Sequence, residues 1–391
     1  MMNSLLIKNA LVVFPDGVKH TSVLIENVKI SKIGYEGPAD KVLDVEKSYL
    51  LPGFIDLHVH GGGGADFMDA DPSAFETVVK THLSHGTTTM LPTAMSASEE
   101  DLCLFLKNFK IFKENSSLAD VTPGVHLEGP YFSNANTKSS GAQPSNLLRL
   151  PDEKEIDRLL QFANGDILRW DAAPELDGSE MFARKCRENG IICSIAHSAA
   201  TSEQAQNGIN NGFNHVTHFY NAVTTYRKEG QKVLAGVVEA AYLNDDVRIE
   251  LICDGRHIPR DIMRLALKIK GAHLVSGITD AMRIAGTDLK RGVLGNKQKG
   301  TEVVVDDGVA KLPDFSSYAG SIATMDGALR VLCNDYGFSL PEASVMLSKA
   351  PASLLKITDT KGSIEPNRDA DLVVFDKDLN LVGVFLKGKL V

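Results

Sequence analysis

Leu51-Pro52-Gly53-Phe54-Ile55-Asp56-Leu57-His58-Val59-His60-Gly61-Gly62 is the stretch on which the fold of this 391-residue chain turns. Strand side chains alternate faces, so Asp56, His58 and His60 share one face while Ile55, Leu57 and Val59 share the other. Two imidazoles are thereby aimed at one point, and the apolar face is free to pack against helices. The glycines at 61–64 let backbone pass close to whatever the histidines hold.

Working outward, four more apolar runs end in a group that can bind a metal or act as a base. They are Val125-His126-Leu127-Glu128-Gly129-Pro130, Ile191-Ile192-Cys193-Ser194-Ile195-Ala196-His197, His215-Val216-Thr217-His218 and Leu274-Val275-Ser276-Gly277-Ile278-Thr279-Asp280. A parallel barrel gathers the C-terminal ends of its strands in one mouth, so these segments predict a single site. Between 53 and about 355 the strand and helix patterns alternate. Further strands are expected at 87–93, 167–172 and 247–253, with the Glu128 strand beginning at 122. Helices are expected at 72–84, 98–113, 151–163, 179–189, 202–210, 236–243 and 259–270. The first has Asp71 as N-cap, Pro72 at its first position and His85-Gly86 at its close. About eight such units make an α/β fold, a (β/α)8 TIM barrel spanning 52–358. An open doubly wound sheet would show the same alternation, but no G-x-G-x-x-G turn accompanies it. Residues 320–357 read as helical, with a stop and restart at Lys349-Ala350-Pro351-Ala352.

Short strands at 5–7, 10–14, 22–26 and 29–34 read as antiparallel hairpins, and 370–376 and 382–389 read the same way. Both chain ends, 1–51 and 359–391, are therefore expected to form one small β-sandwich domain with the barrel inserted between them.

Composition narrows the function classes. A chain that is 43% hydrophobic at this length can bury a barrel-sized core and a small second domain. Its net charge of -9 and pI near 5.7 argue against nucleic acid or an anionic membrane surface as partner. An anionic substrate must then be met locally. No leader pattern opens the chain and no apolar run nears the roughly 20 residues of a membrane span, which points to a soluble, cytoplasmic protein. Cys103, Cys186, Cys193, Cys253 and Cys333 are odd in number, lack C-x-x-C spacing and read as free, mostly buried thiols. Cys193 shares a strand face with His197, which places it in the barrel interior rather than among metal ligands.

P-G-F-I-D-L-H-V-H at 52–60, H-L-E-G-P at 126–130, A-H-S at 196–198, V-T-H-F-Y-N-A at 216–222, C-D-G-R-H at 253–257, T-D-A-M at 279–282 and A-G-S-I-A-T-M at 319–325 carry a resemblance. With K-G-S-I ahead of A-D-L-V-V-F-D near the end, the chain resembles the amidohydrolase superfamily and, within it, the N-acetylglucosamine-6-phosphate deacetylase family. The resemblance implies that Glu128, His197 and His218 hold a principal divalent metal. It implies that His58 and His60 add a second, with Glu128 bridging. Some members of that family lack the H-x-H pair and work with one ion; this chain keeps it, which favours two. Imidazoles with a carboxylate suit zinc or iron alike. Asp280 would be the general base and then the general acid of amide hydrolysis. For a substrate phosphate the resemblance implies Asn221, Ala222, His257 and an arginine from a partner subunit, here Arg227 with Lys228 beside it. A homodimer follows from that shared arginine.

Two segments depart from the family pattern. Thr137-Lys138-Ser139-Ser140-Gly141-Ala142-Gln143 stands where the family has K-G-x-H, so Gln143 replaces a sugar-contacting histidine; Gln donates and accepts but does not titrate. Tyr226-Arg227-Lys228-Glu229-Gly230 lacks the proline of the usual R-E-P-G. The first expectation is a metal-dependent hydrolase that deacetylates an amino sugar phosphate, N-acetylglucosamine 6-phosphate. The departures leave open another N-acyl substrate, such as N-acetylgalactosamine 6-phosphate or a non-sugar amide. A non-catalytic metal-binding barrel is the third alternative.

Overall fold

The structure is a computed structural model that describes residues 4–391. Eight strands form its central sheet: Phe54–Val59, Thr87–Ala94, Val125–Tyr131, Ile167–Ala172, Ile192–Ile195, His215–Val216, Arg248–Ile252 and Val275–Ile278. Each lies parallel to its neighbour. The last returns to the first through a parallel bridge between Val59 and Ala281 and the bond from Asp280 N to His58 O at 3.0 Å. Helices alternate with these strands, as in a TIM barrel.

Local chemistry starts the helices where expected. The Asp71 side chain accepts from Ser73 N ahead of Pro72–Ser84, and Ser98 accepts from Asp101 N ahead of Glu99–Asn115. Thr201 and Gln204 form a capping box that opens Ser202–Asn211. Phe75, Phe105, Phe109, Trp170, Phe182 and Phe213 are all buried in the main apolar cluster. Ile55 and Leu57 cluster instead with Ala352 and Leu354 of the final helix.

The barrel interior is charged. Arg169 is completely buried and bonds to Asp171 of its own strand, to Ser194, Glu250 and the carbonyl of Leu57 on three others, and to Thr217 just past a fourth. Only a side chain inside the barrel can reach them all.

Three expectations need correction. Ser194 bonds to Arg169 and His215, so Cys193, one residue away, points outward and meets Cys186 of the helix Ser179–Glu188. The strand ends at Ile195 and His197 has a φ of 44°, so alternation cannot be carried from 193 to 197. Residues 320–324 are not helical: Ser321 is bridged to Ala281, and Ser321 N donates to Asp280 O at 2.8 Å, which pins this stretch to the end of the eighth strand. The helices begin at Met325 and loosen into wider turns at Val331–Asp335 and Val345–Lys349. The N-terminal strands are not all hairpins. Ser4–Phe14 is one strand, shifted in register between Ile7 and Ala10, antiparallel to Gly17–Glu26 but parallel to Lys41–Asp44 and Tyr49–Pro52.

Tyr49–Pro52 pairs antiparallel with Leu372–Phe375, so strands from both chain ends share one eight-stranded sheet around its own apolar cluster. An unforeseen element is the antiparallel sheet Arg291–Leu294, Thr301–Asp306 and Val309–Lys311, inserted after the eighth barrel strand.

His82 gives the fold a pH dependence. Its Nε2–H donates to Gly61 O at 2.9 Å, and burial lowers its pKa from 6.5 to about 4. The unfolded chain takes up this proton near 6.5 and the folded chain only near 4, so stability is lost as pH falls through that window. Urea unfolding of metal-free protein at about pH 7 and about pH 4.5 is expected to show a loss smaller by about 2 kcal/mol in His82→Gln than in wild type. Equal losses would exclude His82 as the source.

Candidate metal centre

Four imidazoles converge on one carboxylate at the C-terminal mouth of the barrel. His197 and His218 place Nε2 at 3.0 Å from Glu128 Oε1 and 3.2 Å from each other. His58 and His60 place Nε2 at 3.1 Å from each other, and His60 Nε2 lies 3.4 Å from Glu128 Oε2. Asp280 Oδ1 completes the ring, 3.4 Å from His58 Nε2 and 3.3 Å from His60 Nε2. All six residues are buried, with Asp280 the most open at 8% exposure.

The backbone turns sharply to achieve this. His197, His218 and Asp280 have φ values of 44°, 28° and 51°, a left-handed conformation that non-glycine residues adopt rarely and that costs on the order of 1–3 kcal/mol each. Each of these residues lies two positions beyond the last residue of its strand, where ladder pairing no longer dictates the torsion.

The ring nitrogens suit a cation. His58 Nδ1 faces Glu250 Oε1 at 3.0 Å, His197 Nδ1 faces Ser139 O at 2.9 Å and His218 Nδ1 faces Asn221 O at 3.1 Å. These acceptors hold the proton on Nδ1, so each Nε2 presents a lone pair to the common centre. Three lone pairs and a carboxylate packed at hydrogen-bond spacing fit a divalent metal. His58, His60 and Glu128 form one group with metal-ligand spacing and Glu128, His197 and His218 another.

Electrostatics agree. Burial pushes the Glu128 carboxyl up, but the imidazoles of His197, His218 and His58 that face it outweigh burial and hold the group well below the usual carboxylate range. Burial likewise raises Asp280, and the imidazole of His58, then that of His60, brings it below its ordinary value. Both carboxylates are therefore ionised at neutral pH.

A cavity of about 160 Å³ opens over this ring. Asn221, Ala222 and His257 line it, with His257 Nδ1 held by Asp254 Oδ2 at 2.7 Å and its ring 4.8 Å from that of Tyr318. Gln143 lines it too, yet its amide is engaged with the centre itself: Nε2 donates to Glu128 Oε2 at 2.7 Å and Oε1 accepts from Ser96 N at 3.0 Å. Arg227 is not brought to the cavity of its own chain. It sits on the hairpin Arg227–Glu229 with Lys232–Leu234, paired to Glu229 at 3.1 Å.

Sequence reasoning missed Lys138, Glu250 and Arg169. Lys138 is the one lysine or arginine among the described residues that line the cavity, in the short helix that opens the segment departing from the family pattern. Glu250 and Arg169 had a signal: each is a charged residue inside an apolar strand, in R-I-E-L-I and I-L-R-W-D-A.

Residues 49–391 match the amidohydrolase family. The N-acetylglucosamine-6-phosphate deacetylase of Bacillus subtilis is 33% identical over 398 residues, covering 100% of this chain and 98% of that protein. Among solved structures, N-acetylglucosamine-6-phosphate deacetylase from Pasteurella multocida superposes with a TM-score of 0.91 at 28% identity, covering 99% of both chains. A mutant of the Mycobacterium smegmatis deacetylase, in complex with N-acetyl-D-glucosamine-6-phosphate, superposes with a TM-score of 0.88 at 28% identity, covering 100% of this chain and 99% of that one. A parallel barrel, a histidine–carboxylate centre at its mouth and a family match over most of the sequence lead to one conclusion: the chain belongs to the amidohydrolase family.

Proposed function

We propose that this protein is a metal-dependent hydrolase that converts N-acetylglucosamine 6-phosphate to glucosamine 6-phosphate and acetate. The convergence of four imidazoles on Glu128, with Asp280 beside them at the cavity floor, carries the proposal, in a chain similar over its whole length to deacetylases of that substrate.

Glu128, His197 and His218 would hold one divalent ion, zinc or iron; His58 and His60, with Glu128 shared, would hold a second. A metal bound there polarises the amide carbonyl and makes water more acidic. Asp280 accepts a proton from the water that adds to the carbonyl carbon. It then passes that proton to the amide nitrogen as the C–N bond breaks, and acetate and the free amine leave. The lowered pKa of Asp280 suits the first step, since the group starts ionised.

Gln143, Asn221, Ala222 and His257 would contact the sugar phosphate from the cavity wall. The position of Arg227 away from its own cavity supports its delivery from a second copy in a homodimer. Lys138 would supply a positive charge from within the chain. Five free cysteines fit a reducing, cytoplasmic setting, and among the described residues no helix is long and apolar enough to cross a membrane.

Acetate release by the purified, metal-analysed protein tests the proposal, with N-acetylglucosamine 6-phosphate beside its galactosamine and mannosamine counterparts and the unphosphorylated sugars. Fast turnover of the first, lost without the phosphate, is expected; a metal-loaded protein that hydrolyses none of them would overturn the proposal. In the same assay Lys138→Met is expected to raise KM for the phosphorylated sugar by about 10-fold, the loss of one charge-assisted contact, with kcat close to that of wild type.

A further inference from the structure

The imidazoles of the centre are oriented by two different means. His197 and His218 donate Nδ1–H to backbone carbonyls, Ser139 O and Asn221 O. His58 donates to a side chain, Glu250 Oε1 at 3.0 Å, and among the described residues His60 Nδ1 has no hydrogen-bond partner. The H-x-H half therefore takes its orientation from one carboxylate.

Glu250 is itself clamped. It is completely buried on the seventh barrel strand, where Arg169 donates through Nη1 to Oε2 at 2.5 Å and through Nη2 to Oε1 at 2.8 Å. The guanidinium is held in turn by Thr217 Oγ1 at 2.5 Å and Asp171 Oδ1 at 3.2 Å. Glu250 Oε1 also accepts the backbone N–H of His218 at 3.0 Å. One carboxylate thus touches both halves of the centre, but only the His58 ring relies on it, because the His218 ring keeps Asn221 O.

From these contacts we infer that Glu250, clamped by Arg169, is the positioning residue that sets metal occupancy of the His58/His60 half. The inference rests on the metal centre proposed above. Without the acceptor at Nδ1, the His58 ring is free to rotate or to carry its proton on Nε2, and a protonated Nε2 has no lone pair for a ligand bond.

Glu250→Asp keeps the charge that Arg169 needs while withdrawing it from His58 by one methylene. Equilibrium dialysis against graded free zinc measures the metal bound per chain, with wild type and His58→Asn as references. Wild type is expected to bind two ions, His58→Asn one, and Glu250→Asp one at wild-type affinity and a second weakened by about 10- to 100-fold. Glu250→Gln, in which one neutral oxygen must be divided among Arg169, the His218 N–H and His58, replaces Glu250→Asp if circular dichroism shows that variant unfolded. Unchanged binding of both ions in the substituted protein, or weakening of both alike, overturns the role of Glu250 while leaving the metal centre standing. A wild type that takes up no metal overturns the centre and the inference together.

Discussion

Asp280→Asn is expected to lower kcat for acetate release by about 10³-fold while leaving metal content and fold unchanged. Asn has the shape of Asp and can keep contacts at the 3.3 and 3.4 Å now made to His60 and His58, but it cannot take a proton from water and return it to the leaving amine. The loss belongs in kcat, since the side chain sits at the floor of the cavity below the walls proposed to hold the sugar. The pH profile supplies a second check. Because Asp280 ionises below its ordinary value, wild-type activity is expected to have its acidic limb below the usual carboxylate range, and the variant to lose that limb. Activity of Asp280→Asn within a few-fold of wild type would remove Asp280 from the chemistry.

Glu128→Gln is expected to empty both halves of the centre and to bring activity to background with them. Oε1 meets His197 and His218 at 3.0 Å and Oε2 meets His60 at 3.4 Å, so a single charge serves two candidate ion positions. An amide offers one neutral acceptor in place of two anionic ones. Metal affinity should fall by more than the roughly 10- to 100-fold that follows loss of an outer hydrogen-bond partner. Elemental analysis after dialysis would show the result directly, and retention of the full wild-type complement would mean that Glu128 is not a shared ligand. The two variants separate the roles: Asp280→Asn keeps the metal and loses turnover, whereas Glu128→Gln loses both.

Much of the site was legible in the sequence because its signals are local. The period of two put His58 and His60 on one face, and the apolar runs ending at His197, His218 and Asp280 marked strand ends that a barrel gathers into one mouth, whereas Glu128 lies inside its strand, Val125–Tyr131. Asp71, Ser98 and Thr201 mark helix starts in the structure, each accepting a hydrogen bond from the first turn of its own helix. Alternation failed at Cys193, since the turn at His197 lies beyond the ladder that makes strands periodic.

What the sequence by itself determined is the order of strands and helices, the helix caps and the residue types at the strand ends, because each depends on bonds between residues a few positions apart. Tertiary structure alone decided the rest. It brought Tyr49–Pro52 alongside both Ser4–Phe14 and Leu372–Phe375, put Arg169 against Glu250 and Glu250 against His58, set Lys138 over the cavity and kept Arg227 away from it. These contacts join residues up to hundreds of positions apart, and no local period encodes them. They follow from closing eight strands into a ring, which removes water from the interior and leaves each buried charge only the partners that other strands happen to present.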